Sequence, residues 1–431
     1  MRKQVSPYLV RTVVLQSGER LPMLCERSTG LPLYDPTLYA LTELRARNRS
    51  ASTIRQALRS VMLLCLVLDR LCVDLDARMQ EGRFLTLGEI EEISRCCRAS
   101  LEAVLADDFA KDALVPARVV ALERARMRTT STGIPAHVCS ESAAIRIHYI
   151  CGYLEWRATG CLLTLSPSHA TYQSLKVAAD LACRALRERL PSSSRRNHIN
   201  QRQGLSVEAR AKLLDLIDPA SPDNPWPGRH PRERNALMVR WYLSLGIRRG
   251  ELLGVRVADV NFRSNEVLIA RRADDPEDPR RDQPNTKTSD RLLALDEDLA
   301  RRTRDYVMGC RRAIKGARKH QYLFVANGSG APLTIAAVNK IFVALRIKCP
   351  DLLEKLSPHV LRHTWNDDFS EVMDRERVPE EMEKKMRSRL MGWSETSDSA
   401  ATYTRRHVQR KASDAILDLQ KKLKKDESSE T

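Results

Sequence analysis

Hydrophobic and polar positions change rhythm several times along the chain. Residues 1–36 hold short β-type stretches, such as Thr12–Leu15, between turn residues, and read as an N-terminal extension. From residue 37 the spacing turns helical. Ile54, Ala57, Leu58, Val61, Cys65, Leu68 and Leu71 recur at about 3.6 residues, which predicts a helix burying one face, with Ser52 as its cap. Further helices are expected over 87–109, over 169–190, and from Glu141 with Ile145, Tyr149, Ile150, Tyr153 and Leu154 on the apolar side. The stretch 111–140 is irregular, and 37–190 as a whole reads as an all-α domain.

Residues 191–204, from Pro191 to Gly204, are polar, basic and nearly free of apolar side chains. They read as a linker whose Arg195, Arg196 and Arg202 could lie along a phosphate backbone. A second domain is expected over 205–410. Ser206 caps its first helix, helices follow at 231–245 and 250–257, and strands at 266–271 and 291–295 flank a charged, proline-rich stretch, 274–284. Helices, a small sheet, then helices again make an α+β domain, mostly helical. Residues 411–431 start as an amphipathic helix (Ala415, Ile416, Leu419, Leu423) and run into a lysine-rich, finally acidic tail expected to fray.

Composition narrows the classes. A chain of 431 residues is enough for two or three domains, and 42% hydrophobic with 29% charged residues is globular. The net charge of +17 points to a polyanionic partner, with nucleic acid the first candidate. The apolar run Val61–Leu68 is far short of the ~20 residues a bilayer needs. Arg11 interrupts Tyr8–Leu15 before a leader's apolar core can form, so a cytoplasmic protein without a membrane span is expected. Eleven cysteines include no Cys-x-x-Cys, and neither His137 with Cys139 nor His148 with Cys151 has a second half-site. Buried thiols are expected, and no metal site or cofactor.

Four clusters in the second domain can carry chemistry. In Gly246-Ile247-Arg248-Arg249-Gly250-Glu251, an arginine at a helix start can aim its fork at a phosphate. Lys287, on a turn before a strand, can reach into a groove and donate a proton. Ser357-Pro358 is a helix start, and His359 and Arg362, three apart, share a face in its first turn, where an anion is favoured. Last comes Leu390-Met391-Gly392-Trp393, with Tyr403 ten residues beyond the tryptophan. Singly each is a weak signal, since an ordinary turn, capping or packing residue reads the same way.

In this order the clusters resemble the tyrosine recombinase family of phage integrases, Xer recombinases and Cre. That signature is an arginine in a Gly-x-Arg-x-x-Glu-Leu setting, a hairpin lysine, a His-x-x-Arg box, a His or Trp after Leu-Gly, and a tyrosine some nine or ten residues on. Here the elements fall on Arg248, Lys287, His359 with Arg362, Trp393 and Tyr403. The resemblance spans 205–410 and implies that 37–190 is a core-binding, DNA-contacting domain. Trp365-Asn366-Asp367-Asp368 is more acidic than the family's usual residues after the box.

The resemblance implies a site-specific recombinase or integrase that serves a mobile element. Tyr403 would attack a DNA phosphodiester, form a 3′-phosphotyrosyl bond and free a 5′-hydroxyl, with no need for ATP or metal. Arg248 and Arg362 would hold the phosphoryl oxygens, Lys287 would protonate the leaving oxygen, and His359 would act as acid or base. Trp393 would position the phosphate, and Glu251 would brace the site. His363 is expected to fall off the His359 face, outside the catalytic set. The basic stretch Arg301–His320 could touch the DNA backbone. Implied partners are double-stranded DNA, further copies in a tetrameric synapse, and accessory DNA-bending or directionality proteins, in a bacterial nucleoid. Two alternatives stay open: a type IB topoisomerase-like enzyme, and a non-catalytic DNA-binding accessory protein.

Overall fold

The computed structural model describes residues 5–106, 137–191, 204–284, 288–394, 400, 403–404, 411–412, 415–417 and 419–420. Lys287, most of the irregular stretch 111–140, the linker arginines and the acidic tail lie outside the described residues. The chain divides into two compact units, Met1–Leu15 with Arg20–His198 and Gln16–Glu19 with Ile199–Thr431.

The first unit opens with an antiparallel hairpin, β1 (Tyr8–Val14) and β2 (Arg20–Glu26). Its helices are α1 (Tyr34–Tyr39), α2 (Ala51–Arg70), α3 (Leu75–Gln80), α4 (Leu87–Arg98), α5 (Leu101–Leu105), α6 (Ser140–Leu163) and α7 (Ala170–Glu188). Both strands pack on α2, and Leu24 joins the helical core, so the two strands are part of this unit. Packed by the strands and by other helices, α2 buries Met62, Leu63 and Val67 besides the expected stripe Ile54, Ala57, Leu58 and Val61. A second neighbour covers a second face.

The cap of α2 is Ser50, not Ser52. Its side chain accepts from the Thr53 N–H at 3.4 Å, while Ser52 lies inside the helix. The single helix expected over 87–109 is broken. Ala99 is extended, and Ser100 caps a new short helix by accepting from the Ala103 N–H. By length and composition α2 could cross a membrane, contrary to the expectation from the short run Val61–Leu68. Its fully buried Ile54, Leu58 and Leu64 serve instead in the core, with Ile93, Ile147 and Ile150.

In the second unit, α8 (Val207–Ile217) is capped by Ser206, which accepts from the Ala209 N–H at 3.1 Å. Helix α9 (Arg229–Leu245) runs through the core and buries Trp241 and Tyr242 completely. Burying an indole is costly unless its N–H is met; the Trp241 Nε1–H donates to Thr303 Oγ1 at 3.0 Å. After α10 (Arg249–Gly254) comes a three-stranded antiparallel sheet of β3 (Val260–Asn261), β4 (Glu266–Ile269) and β5 (Arg291–Ala294), in that order. Val267 pairs with Leu293 on the buried face and Leu268 with the exposed Leu292 on the other.

The charged, proline-rich stretch 274–284 is anchored. Buried Arg280 donates to the carbonyls of Leu253 and Leu333 and pairs with Asp278. Helix α11 (Glu297–Tyr306) follows. Its exposed Arg301 and half-buried Arg302 are both paired with Asp298. Arg311, just beyond, is buried and donates to the carbonyls of Ala317, His320 and Tyr322. Part of the basic stretch Arg301–His320 is therefore committed inside the protein. Helices α12 (Ile335–Lys348), α13 (Pro350–Leu353), α14 (Pro358–Arg375) and α15 (Glu380–Met391) complete the described unit.

Candidate functional site

Two glycine turns set the site's frame. Gly246 ends α9 in the left-handed region (φ 59°), and an added Cβ would stand 2.8 Å from the Trp365 ring. Gly392 ends α15 likewise (φ 65°), and a Cβ there would meet Arg291 Nη1 at 2.8 Å and Thr288 Cβ at 2.9 Å. Close approach and positive φ both demand glycine. The first turn delivers Arg248 to the start of α10; the second delivers Trp393.

Arg248 is the N-cap of α10. Its backbone N–H and its guanidinium both donate to Glu251, at 2.8 and 3.3 Å. Glu251 is 2% exposed and also accepts from Arg291 Nη2 at 2.9 Å and Thr288 Oγ1 at 2.6 Å. Burial by itself would raise its carboxyl. The charge and hydrogen bonds of Arg291, with those of Thr288 and the Arg248 backbone, outweigh that and hold it at about 2. Glu251 thus ties the Arg248 turn to β5 and to Thr288. Lys287 lies outside the described residues, but its neighbour Thr288 is fixed here, and the Ser289 N–H donates to the Gly392 carbonyl.

Glu251→Ala leaves the buried Arg291 uncompensated and is expected to destabilise the protein by about 3–5 kcal/mol, on the order of 10 °C in melting temperature for a unit of this size. Because the folded carboxyl titrates below its ordinary value of 4.5, the contribution is complete above about 4.5 and disappears as pH falls toward 2. Thermal melts of Glu251→Gln between pH 7 and pH 3 should lack that acid-side loss. A melting curve as acid-sensitive as the wild type's would show that Glu251 does not carry it.

The expected start of α14 is present: Ser357 accepts from the Val360 N–H at 3.3 Å, and Pro358 opens the helix. His359 is exposed and Arg362 is 2% exposed. Arg362 Nη1 donates to the Gly246 carbonyl at 2.6 Å. Burial, and next the charge of Arg248, pull its guanidinium down to about 10, so it remains a cation at neutral pH. Arg248, His359 and Arg362 line one cavity of about 470 Å³, together with Arg249, Asn339, Phe342, Arg346, Ser357 and Pro358. The lining holds four arginines and no carboxylate.

Arg362 also faces Trp393, with its guanidinium carbon 5.3 Å from the ring centroid. Trp393 lies nearly parallel to Tyr403, at 5.7 Å and 12°. Two buried donors here, Arg362 Nη2 and Trp393 Nε1, meet no acceptor among the described residues. Buried donors are normally satisfied, and each exception costs about 1–3 kcal/mol. Arg362, which carries one of them, lines the arginine-rich cavity, and that combination suits an oxyanion.

The reading of His363 is corrected. Four residues after His359 it shares that residue's face, as i and i+4 positions do; their ring centroids are 4.3 Å apart. His363 is in turn 5.4 Å from the Tyr403 ring. Counting four along the helix would have found it. Arg291, Thr288 and Arg387 were missed because nothing local marks them; they reach the site through tertiary contacts. Among the described residues no group of His, Cys, Asp or Glu is arranged to hold a metal ion.

The phage integrase family model matches residues 227–410. These residues form a phage integrase family domain. The match takes in all six site positions of the family resemblance, from Arg248 to Tyr403. A search of curated proteins finds no match. Among solved structures, a XerA recombinase crystal structure is similar at 16% identity, covering 85% of this chain and 90% of that one, with a TM-score of 0.34. XerH recombinase bound to its difH substrate has 15% identity, 88% and 93% coverage and a TM-score of 0.39. The integrase of transposon Tn1549 with a circular-intermediate DNA has 15% identity, 70% and 98% coverage and a TM-score of 0.37.

Proposed function

We propose that this integrase-family chain cleaves and rejoins DNA through a phosphotyrosyl intermediate on Tyr403, as a site-specific recombinase. The observation that carries the reading is the unsatisfied buried donor Arg362 Nη2 at an arginine-lined cavity, with Trp393, whose Nε1 is likewise unmet, set against both Arg362 and the Tyr403 ring. A phosphodiester in that cavity would give Arg362 Nη2 an acceptor.

In the cleavage step the Tyr403 oxygen attacks phosphorus, the phosphotyrosyl bond forms, and the bond to the 5′-oxygen breaks. Arg248 and Arg362 balance charge on the non-bridging oxygens, and Trp393 donates through its indole N–H. Lys287 protonates the departing 5′-oxygen. His359 and His363, in edge contact with each other and His363 beside the Tyr403 ring, serve as the acid–base pair at the phenol. Attack by another strand's 5′-hydroxyl reverses the chemistry and returns the tyrosine. The net charge of +17 supplies the attraction to duplex DNA. Exchange between two duplexes requires several copies, so a tetrameric synapse, with accessory bending or directionality factors, belongs to this reading. A cellular role in moving an integrative element goes with it.

The test begins with duplexes selected for binding from a random pool and nicked near the bound centre. Wild-type protein is expected to form a denaturation-resistant adduct whose modified peptide contains Tyr403. Specific binding without an adduct would favour the accessory-protein reading. Relaxation of supercoiled plasmid with no recombinant product would instead favour a topoisomerase.

A further inference from the structure

Tyr403 has a neighbour that the proposed chemistry leaves unused. Arg387, on α15, is fully buried. Its Nη1 donates to the Asn366 carbonyl at 2.9 Å and to Asn366 Oδ1 at 3.0 Å; its Nη2 donates to Ser370 Oγ at 2.6 Å and pairs with Glu383. Asn366 and Ser370 belong to α14, the helix that carries His359, Arg362 and His363. The guanidinium carbon stands 4.9 Å from the Phe369 ring centroid and 5.8 Å from that of Tyr403.

Cross-linking α14 to α15 does not require an ion. A buried ion pair is commonly no better for stability than apolar packing of the same size. What an apolar side chain cannot do is place a fixed cation beside an aromatic ring. The electron-rich ring of a phenolate attracts a cation more strongly than that of a neutral phenol. Tyr403 must gain phenolate character when it attacks and again when it leaves.

We propose that Arg387 is a positioning residue that favours the phenolate form of Tyr403 through its ring face, with Glu383 setting how much of the cation's charge the ring feels. The inference rests on Tyr403 being the nucleophile. Other groups facing this ring or this cation are His363 and Arg362 on α14, Trp393 after α15, and Asp367, whose charge acts on Arg387. Only the Arg387–Glu383 pair can be changed in both directions without touching the phosphate-binding residues.

The experiment follows the acidity of Tyr403 directly and needs no DNA. The full chain is labelled with 3-fluorotyrosine, and the Tyr403 resonance is identified as the one of ten that Tyr403→Phe removes. Arg387→Met is expected to lower its acid dissociation constant roughly tenfold. Glu383→Gln, which frees the cation from its counter-charge, is expected to raise it. Arg387→Lys should stay nearer the wild type than Arg387→Met does. A merely structural role would move Met and Gln variants in the same direction or not at all, and either result overturns the proposal. Where Arg387→Met fails to fold, Glu383→Gln decides alone: unchanged or weaker acidity overturns it. The nucleophile reading is checked separately, since an adduct that persists in Tyr403→Phe sinks that reading whatever the titrations give.

Discussion

Tyr403→Phe is expected to abolish covalent capture of nicked DNA while leaving folding and DNA affinity nearly unchanged. The substitution removes one oxygen. Phenylalanine keeps the parallel contact with Trp393 and the approach of the Arg387 guanidinium, so the melting temperature should stay within a few degrees, as for other mild substitutions. Affinity arises from phosphate contacts spread over a basic surface, to which a phenolic hydroxyl adds little. The reaction, by contrast, has no other route if Tyr403 is the nucleophile. Loss of the acting nucleophile in enzymes of covalent mechanism costs on the order of 10⁶-fold, which places the mutant below detection in a gel assay. Full-strength adduct in the mutant would sink the assignment. So would an adduct mapped to another residue in the wild type.

Much of this site was legible from the sequence because its elements have local signatures. Ser357-Pro358 announces a helix start, which fixes His359 and Arg362 in the first turn. Gly246 and Gly392 mark the two tight turns that present Arg248 and Trp393. The parts that escaped depend on contacts between segments far apart in the chain. Arg291 looks like any strand residue until Glu251 is seen against it. Arg387 sits among Glu, Lys, Met and Arg on a helix whose sequence reads as mostly solvated, yet it is fully buried under Tyr403. The hairpin of residues 8–26 read as an appendage because its short strands give no sign of a partner; β1 and β2 in fact close over α2. The broken helix at Ala99 and the cap at Ser50 are smaller errors of one kind. Several serines could serve as caps, and only the packed chain chooses among them.

The second large effect is expected at Arg362, and the informative change is to lysine. Arg362 is buried, held by the Gly246 carbonyl at 2.6 Å, and set against the Trp393 ring. One nitrogen of its fork is thus committed to the protein, and Nη2 is the one left to meet an oxyanion. Lysine keeps the charge but has a single nitrogen on a flexible stem. It can satisfy the carbonyl or the phosphate, but it cannot present the planar fork that does both. Loss of a preorganised donor to a developing oxyanion costs on the order of 100- to 1000-fold in rate. Single-turnover cleavage by Arg362→Lys should fall by about that factor at saturating DNA, with affinity changed much less, because ground-state binding draws on many phosphate contacts. A wild-type rate in the lysine variant would mean that charge alone suffices, and the fork argument would fall. An equal fall in affinity and rate would place Arg362 in ground-state binding and leave Arg248 as the arginine to examine for the transition state.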